Sequence, residues 1–208
     1  MNKFNSPYSA AITGGGFLYE ETNALLPLLQ SPDRARLLKE ESLNNRVIHI
    51  NAETSRKRAI AEISRRYDSM KPSFWTDFQT MNPEDQVVAL FYVILKTYKI
   101  IFDLHVNVTL RKWNSSDKHV SHDDLDMEMN EISSQDAFVD SWSESTKSKV
   151  ESAYLTILRK VNMLDADGRL QPVRCGNFDY YLLHGESWFL ESCLLQPFEI
   201  EAIKKSLA

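Results

Sequence analysis

Residues 82–102 read NPEDQVVALFYVILKTYKIIF, and this stretch decides the fold class. Asn82 suits a helix N-cap, Pro83 the first helical position, and Glu84 and Asp85 the first turn. Behind them Val87, Val88, Leu90, Phe91, Ile94, Leu95, Tyr98, Ile101 and Phe102 make a wide apolar face at helical spacing. The longest apolar run, Val87–Leu95, is nine residues, with Lys96 and Lys99 close behind. A bilayer needs ~20 apolar residues, so the pattern predicts a buried hub helix and no membrane span. It should break near Asp103 or run on to about Trp113; the β-branched segment Val106–Leu110 leaves both open.

The totals agree with a helical reading. Hydrophobic content of 43% supplies a packed core, whereas 6 Gly and 7 Pro are few for the frequent turns of an all-β chain. Cys175 and Cys193 form neither a zinc pattern nor a disulfide framework. Residues 1–10 are polar and lack the apolar core of a secretory signal. These features point to a cytoplasmic location.

Further start signals divide the chain. Phe17–Gln30 reads as a first helix, with Pro27 as a kink or a first turn. Ser31-Pro32-Asp33 opens a second, and Asn51 caps a third that runs to about Met70. Ser121 with Asp124 caps a short acidic helix, Ser134–Val139 forms another, and Ser141-Trp142-Ser143-Glu144 fits a capping box for a helix to about Met163. Arg169–Cys175 reads as a short strand or wing, and Pro197 precedes a terminal helix. The expectation is a mostly α, compact multi-helix protein: a helix-turn-helix-like domain over 1–75, a hub helix region over 76–116 and a winged-helix-like domain over 117–208.

Charge is segregated along this frame. The formal net charge is −5, yet residues 33–71 carry ten Lys/Arg against six Asp/Glu. Residues 72–144 carry five against thirteen, and 145–174 six against three. The centre of the first basic block is Asn51–Tyr67, NAETSRKRAIAEISRRY. On a helix at about 100° per residue, Ile60, Ile63 and Tyr67 form one side. Thr54, Ser55, Lys57, Arg58, Glu62, Arg65 and Arg66 fall on the other, and Arg56 adds to the charge. Hydroxyls near a helix start, with cations along the outer face, suit phosphate and major-groove contact. A solvated surface helix is the competing reading, and charge alone leaves both open.

Ser145-Thr146-Lys147-Ser148-Lys149 repeats the theme, with Arg159, Arg169 and Arg174 downstream. Helix, helix, basic helix and wing is the order of a winged helix-turn-helix. The acidic middle contains His119, His122, Asp123, Asp124, Asp126 and Glu128, a solvated or partner-docking helix without metal-ligand spacing. Thr13-Gly14-Gly15-Gly16 lacks the Lys-Ser/Thr of a phosphate loop and reads as a flexible joint. No catalytic motif stands out, and no cofactor is expected.

The chain resembles the BrxA family of bacterial BREX phage-defence systems. The resemblance rests on Phe17-Leu18-Tyr19-Glu20-Glu21-Thr22, Glu41-Ser42-Leu43-Asn44-Asn45-Arg46, Ile63-Ser64-Arg65-Arg66-Tyr67, Leu90–Phe102 and Ser143–Lys147 leading to Leu158–Leu164. It covers about residues 10–165 in order and spacing. It implies helix-turn-helix-like units near both ends and a link to double-stranded DNA; the family has also been likened to the RNA-binding factor NusB. The resulting expectation is a non-enzymatic, weakly sequence-specific DNA-binding protein. Its contacts would be Thr54, Ser55, Arg56, Lys57, Arg58, Arg65 and Arg66, and Ser145, Lys147, Lys149, Arg159, Arg169 and Arg174. Other BREX subunits would dock on the acidic region 117–131. RNA binding and a pure scaffold are the alternatives.

Overall fold

The structure, a computed structural model, describes residues 5–207 and is mostly helical, with no strand among the described residues. It divides into two units, one spanning Ala11–Thr97 and the other joining the residues before Ala11 to Tyr98 and beyond.

In the Ala11–Thr97 unit a 3₁₀ turn (Ala11–Gly14) precedes α1 (Tyr19–Leu29), α2 (Arg34–Asn44), α3 (Glu53–Asp68), α4 (Pro72–Thr80) and α5 (Pro83–Thr97). Pro27 lies inside α1, exposed and one turn from its end. The N-caps of α2 and α3 are Asp33 and Ala52, rather than Ser31 and Asn51, and neither donates a side-chain cap. Leu25, Leu29, Ile48, Ile60 and Ile63 form a buried cluster at the junction of α1, α3 and the turn before α3. Burying each such side chain contributes about 1.5–3 kcal/mol.

The sequence pattern predicts no element over residues 71–81, yet α4 forms there with Pro72 in its first turn. Phe74, Trp75 and Phe78 are buried, and the Trp75 ring stacks on Tyr67 at 5.5 Å. The Trp75 indole N–H donates to the Tyr67 carbonyl at 3.0 Å. α5 forms as its sequence predicts: the Asn82 side-chain oxygen accepts from the Asp85 N–H at 2.9 Å, and Val88–Leu95 is buried throughout. It ends at Thr97 because Tyr98 is extended (φ −118°, ψ 100°). The break therefore falls five residues before the expected Asp103.

In the other unit α6 (Lys99–Leu104) passes into a π-helical turn (His105–Leu110) and α7 (Arg111–Trp113). Then follow α8 (His122–Gln135), α9 (Ala137–Asp140), α10 (Glu144–Lys160), α11 (Phe178–Leu183), α12 (Trp188–Ser192) and α13 (Pro197–Ser206). The π turn resolves the ambiguity of Val106–Leu110 and carries a buried polar chain. The His105 imidazole lies 2.9 Å from the Ser192 carbonyl through Nε2 and 2.9 Å from the Tyr154 hydroxyl through Nδ1. Thr109 Oγ1 is 2.6 Å from the same hydroxyl. A carbonyl only accepts, so Nε2 carries the proton, Tyr154 donates to Nδ1 and Thr109 donates to Tyr154. The His105, Tyr154 and Thr109 side chains, all buried, thereby find partners in one another and in the Ser192 carbonyl.

Ser121 caps α8 in a full box with Asp124, as expected. The box at 141–144 is displaced: Ser143, not Ser141, caps α10, accepting from the Thr146 N–H at 3.3 Å. Arg169–Cys175 forms no strand. Isolated bridges join Leu164 to Leu170 and His119 to Arg169. Gly168, at φ +81°, turns the chain there, and a Cβ on it would meet His119 Nε2 at 2.8 Å. Cys193 is buried and its carbonyl accepts from the Val173 N–H at 3.0 Å, while Cys175 is partly exposed.

Burial lowers the His105 pKa from 6.5 to about 4. Between these values the unfolded chain binds a proton that the folded chain refuses, so stability falls as pH falls. The contribution, about 3 kcal/mol, is complete above pH 6.5 and gone below about 4. Urea unfolding from pH 7.5 to 4 should show this decline in the wild type and a shallower one in His105→Gln. Parallel curves would contradict it.

Candidate nucleic-acid interface

The eight residues between α2 and α3 (45–52) form an unusual turn. Asn45 and His49 have φ of 50° and 53°. Two buried charges hold its backbone and the end of α2. The Glu41 carboxylate accepts from the N–H groups of Arg46, Val47 and Ile48, each at 3.0 Å. The Arg56 guanidinium donates to the carbonyls of Ser42 (2.8 Å) and Ile50 (2.6 Å), and at 3.3 Å to those of Leu43 and Asn51. Hydrogen bonds to ionised groups are stronger than neutral ones, so these seven contacts fix the entry to α3.

Near the other end of α3, Arg66 acts in the same way. It is fully buried and donates to the carbonyls of Phe17, at 2.7 Å, and Gly16. Gly16, at φ +68°, lies in the glycine run that the sequence reads as a flexible joint. The structure instead pins that run to α3.

Arg56 and Arg66 therefore leave the expected contact face: both are buried and aimed at backbone. Glu62, on the same face, is buried as well, while Thr54, Ser55, Lys57, Arg58 and Arg65 are exposed. Thr54, Arg58, Ala61 and Arg65, spaced four, three and four apart, make one exposed stripe. It is about 17 Å long, the span of five base-pair steps. Ser55 and Lys57 flank it, both exposed. Lys57 is engaged by Glu53 at 2.5 Å and holds that carboxyl below its ordinary range. Arg65 lies 3.7 Å from Glu62, a loose contact, and Arg58 has no acidic partner among the described residues.

α10 offers a second, less basic face. Ser145, Lys149, Ser152, Thr156 and Arg159 are exposed along one side. Lys147 is not among them. It is buried, with Glu144 at 3.4 Å. Arg169 and Arg174 are exposed on the segment after α10. The first turn of α8 lies beside this face: His122 sits 3.0 Å from Glu151 and 3.3 Å from the Ser152 hydroxyl. Burial raises the Glu151 pKa, against the opposing pull of His122. His119, the other histidine of the acidic middle, is tied to the Asp167 carbonyl at 2.6 Å. On α8 itself Asp123, Asp126 and Glu131 are exposed around Met127, which is 73% exposed. Among the described residues no helix is long and apolar enough to cross a membrane.

The sequence reading does not find Arg46 and His49, both exposed on the α2–α3 turn. No periodicity marks a turn residue, so only the structure brings them forward.

Comparison with known proteins places this fold. The BrxA family model matches residues 6–175, and the chain belongs to that family. A search of curated proteins gives no match. Among solved structures, the chain is similar to an uncharacterized protein from Magnetospirillum magneticum. The TM-score is 0.74 at 22% identity, covering 90% of this chain and 98% of that one. At this identity the likeness is one of fold.

The two classes of arginine on α3 should separate on heating. Arg56→Ala strips four backbone carbonyls of their donor and should destabilise the protein by about 3 kcal/mol. Arg58→Ala should stay within about 0.5 kcal/mol of wild type. Equal effects in thermal or urea unfolding would refute the division.

Proposed function

We propose, from membership of the BrxA family, that this chain serves BREX-type phage defence by binding double-stranded DNA without catalysing a reaction. Family membership associates the chain with BREX defence. The DNA reading rests on one observation above the rest: the exposed stripe Thr54, Arg58, Ala61 and Arg65, in an otherwise acidic chain. Local positive potential, not net charge, governs polyanion binding. Ser55 and Lys57 widen the stripe. Ser145, Lys149, Arg159, Arg169 and Arg174 supply a second, weaker surface, because Glu151 and the acidic start of α8 lie beside α10.

Hydroxyls and cations without a facing Asn or Gln favour phosphate over base contact, so sequence preference is weak and salt dependence steep. The acidic face of α8, with Met127 at its centre, is where another subunit of the defence system docks in this reading. The protein works in the cytoplasm.

Fluorescence anisotropy with a random-sequence DNA duplex tests the reading. Dissociation constants of about 1–100 µM are expected at physiological salt. The double variant Arg58→Ala/Arg65→Ala should lose roughly two phosphate contacts, lowering the log–log salt slope by about two. Binding that is unchanged in the variant rejects the α3 surface. Displacement by structured RNA at lower concentration than by DNA favours an RNA ligand, and absence of binding to either favours a scaffold.

A further inference from the structure

We propose that the α2–α3 turn is a second phosphate-contact element, carried by Arg46 with His49 beside it, and that Glu41 and Arg56 are positioning residues for it. The proposal rests on the DNA reading of the preceding subsection and adds to it a surface outside α3.

Three observations carry it. First, Arg46 and His49 are both exposed, and neither has an acidic partner among the described residues. The neighbouring cations Arg36 and Arg34 differ in this respect, being held by Asp33 and Glu40 and by Asp68. Second, the backbone between them is held from inside. Glu41 grips the N–H of Arg46 itself, and Arg56 grips the carbonyls of Ile50 and Asn51 just beyond His49. Third, His49 and Asn45 adopt left-handed backbone, a conformation that costs free energy for residues other than glycine and gathers at functional positions.

Water cannot reach all of this backbone, because the turn carries Ile48 into the core. Two buried charges, each requiring full hydrogen bonding to be tolerated, fix one conformation. A fixed turn presents its cation without the ordering entropy that a mobile loop loses on binding. Neither Glu41 nor Arg56 touches DNA in this scheme. They act through Arg46.

A double-mutant cycle on the full chain, read by anisotropy with a random-sequence duplex over a salt series, tests this. Arg46→Ala should weaken binding roughly three- to tenfold at low salt and lower the salt slope by about one. In an Arg56→Met background, already weakened, the same change should have little further effect, because the turn no longer holds Arg46 in place. If Arg56→Met does not fold, Glu41→Gln replaces it in the cycle. A purely structural role for Arg56 gives additive effects, which overturns the positioning claim. Wild-type affinity in Arg46→Ala, with weakened binding in Arg58→Ala/Arg65→Ala, overturns the turn surface and leaves the α3 reading standing. Failure of the wild type to bind duplex overturns both.

Discussion

Backbone groups that leave a helix must find hydrogen bonds, and in the Ala11–Thr97 unit buried charged side chains supply them. Glu41 accepts from amides of the α2–α3 turn, Arg56 donates to carbonyls of that turn and of the end of α2, and Arg66 donates to those of Gly16 and Phe17 before α1. Ile48 can enter the core only because the turn around it is satisfied in this way. The position of α3 follows from the same contacts, since two of its own side chains reach out to the segments it packs against. The exposed stripe on its far side is a by-product of that anchoring.

Elements with a strong local signal are legible in the sequence. The Asn82-Pro83 start of α5, the Ser121/Asp124 box of α8 and Pro197 in the first turn of α13 are short-range chemistry that tertiary packing does not override. α4 escapes the pattern although Pro72 opens it and Phe74, Trp75 and Phe78 have helical spacing. A nine-residue helix contains too few turns for periodicity to speak clearly. Val106–Leu110 is ambiguous because β-branched residues in a π turn satisfy neither standard pattern.

The candidate site is half legible, for a physical reason. Charge suggests exposure, yet three cations are buried. Arg56 stands four before Ile60 and seven before Ile63, and Lys147 stands three before Val150 and seven before Tyr154, so both share the core-facing side of their helices. Reading period before polarity finds these two. Arg66 lies to the side of the Ile60, Ile63 and Tyr67 face, and its burial comes from the segment before α1 that it reaches. Arg46 and His49 have no comparable signal, because their prominence comes from a turn shaped by residues elsewhere. Family membership and the fold likeness support the general architecture but do not distinguish among these cations.

The two kinds of arginine on α3 obey different rules of replacement. Arg58 and Arg65 offer charge to solvent, and lysine carries the same charge. Arg56 uses Nε and both Nη atoms to span carbonyls on either side of a turn, a planar fork that one ammonium cannot imitate. Substitution at the surface is thus free to drift between the two basic residues while the interior is confined to one of them. In relatives that keep this turn, the arginine that never meets the ligand is the one whose identity should vary least.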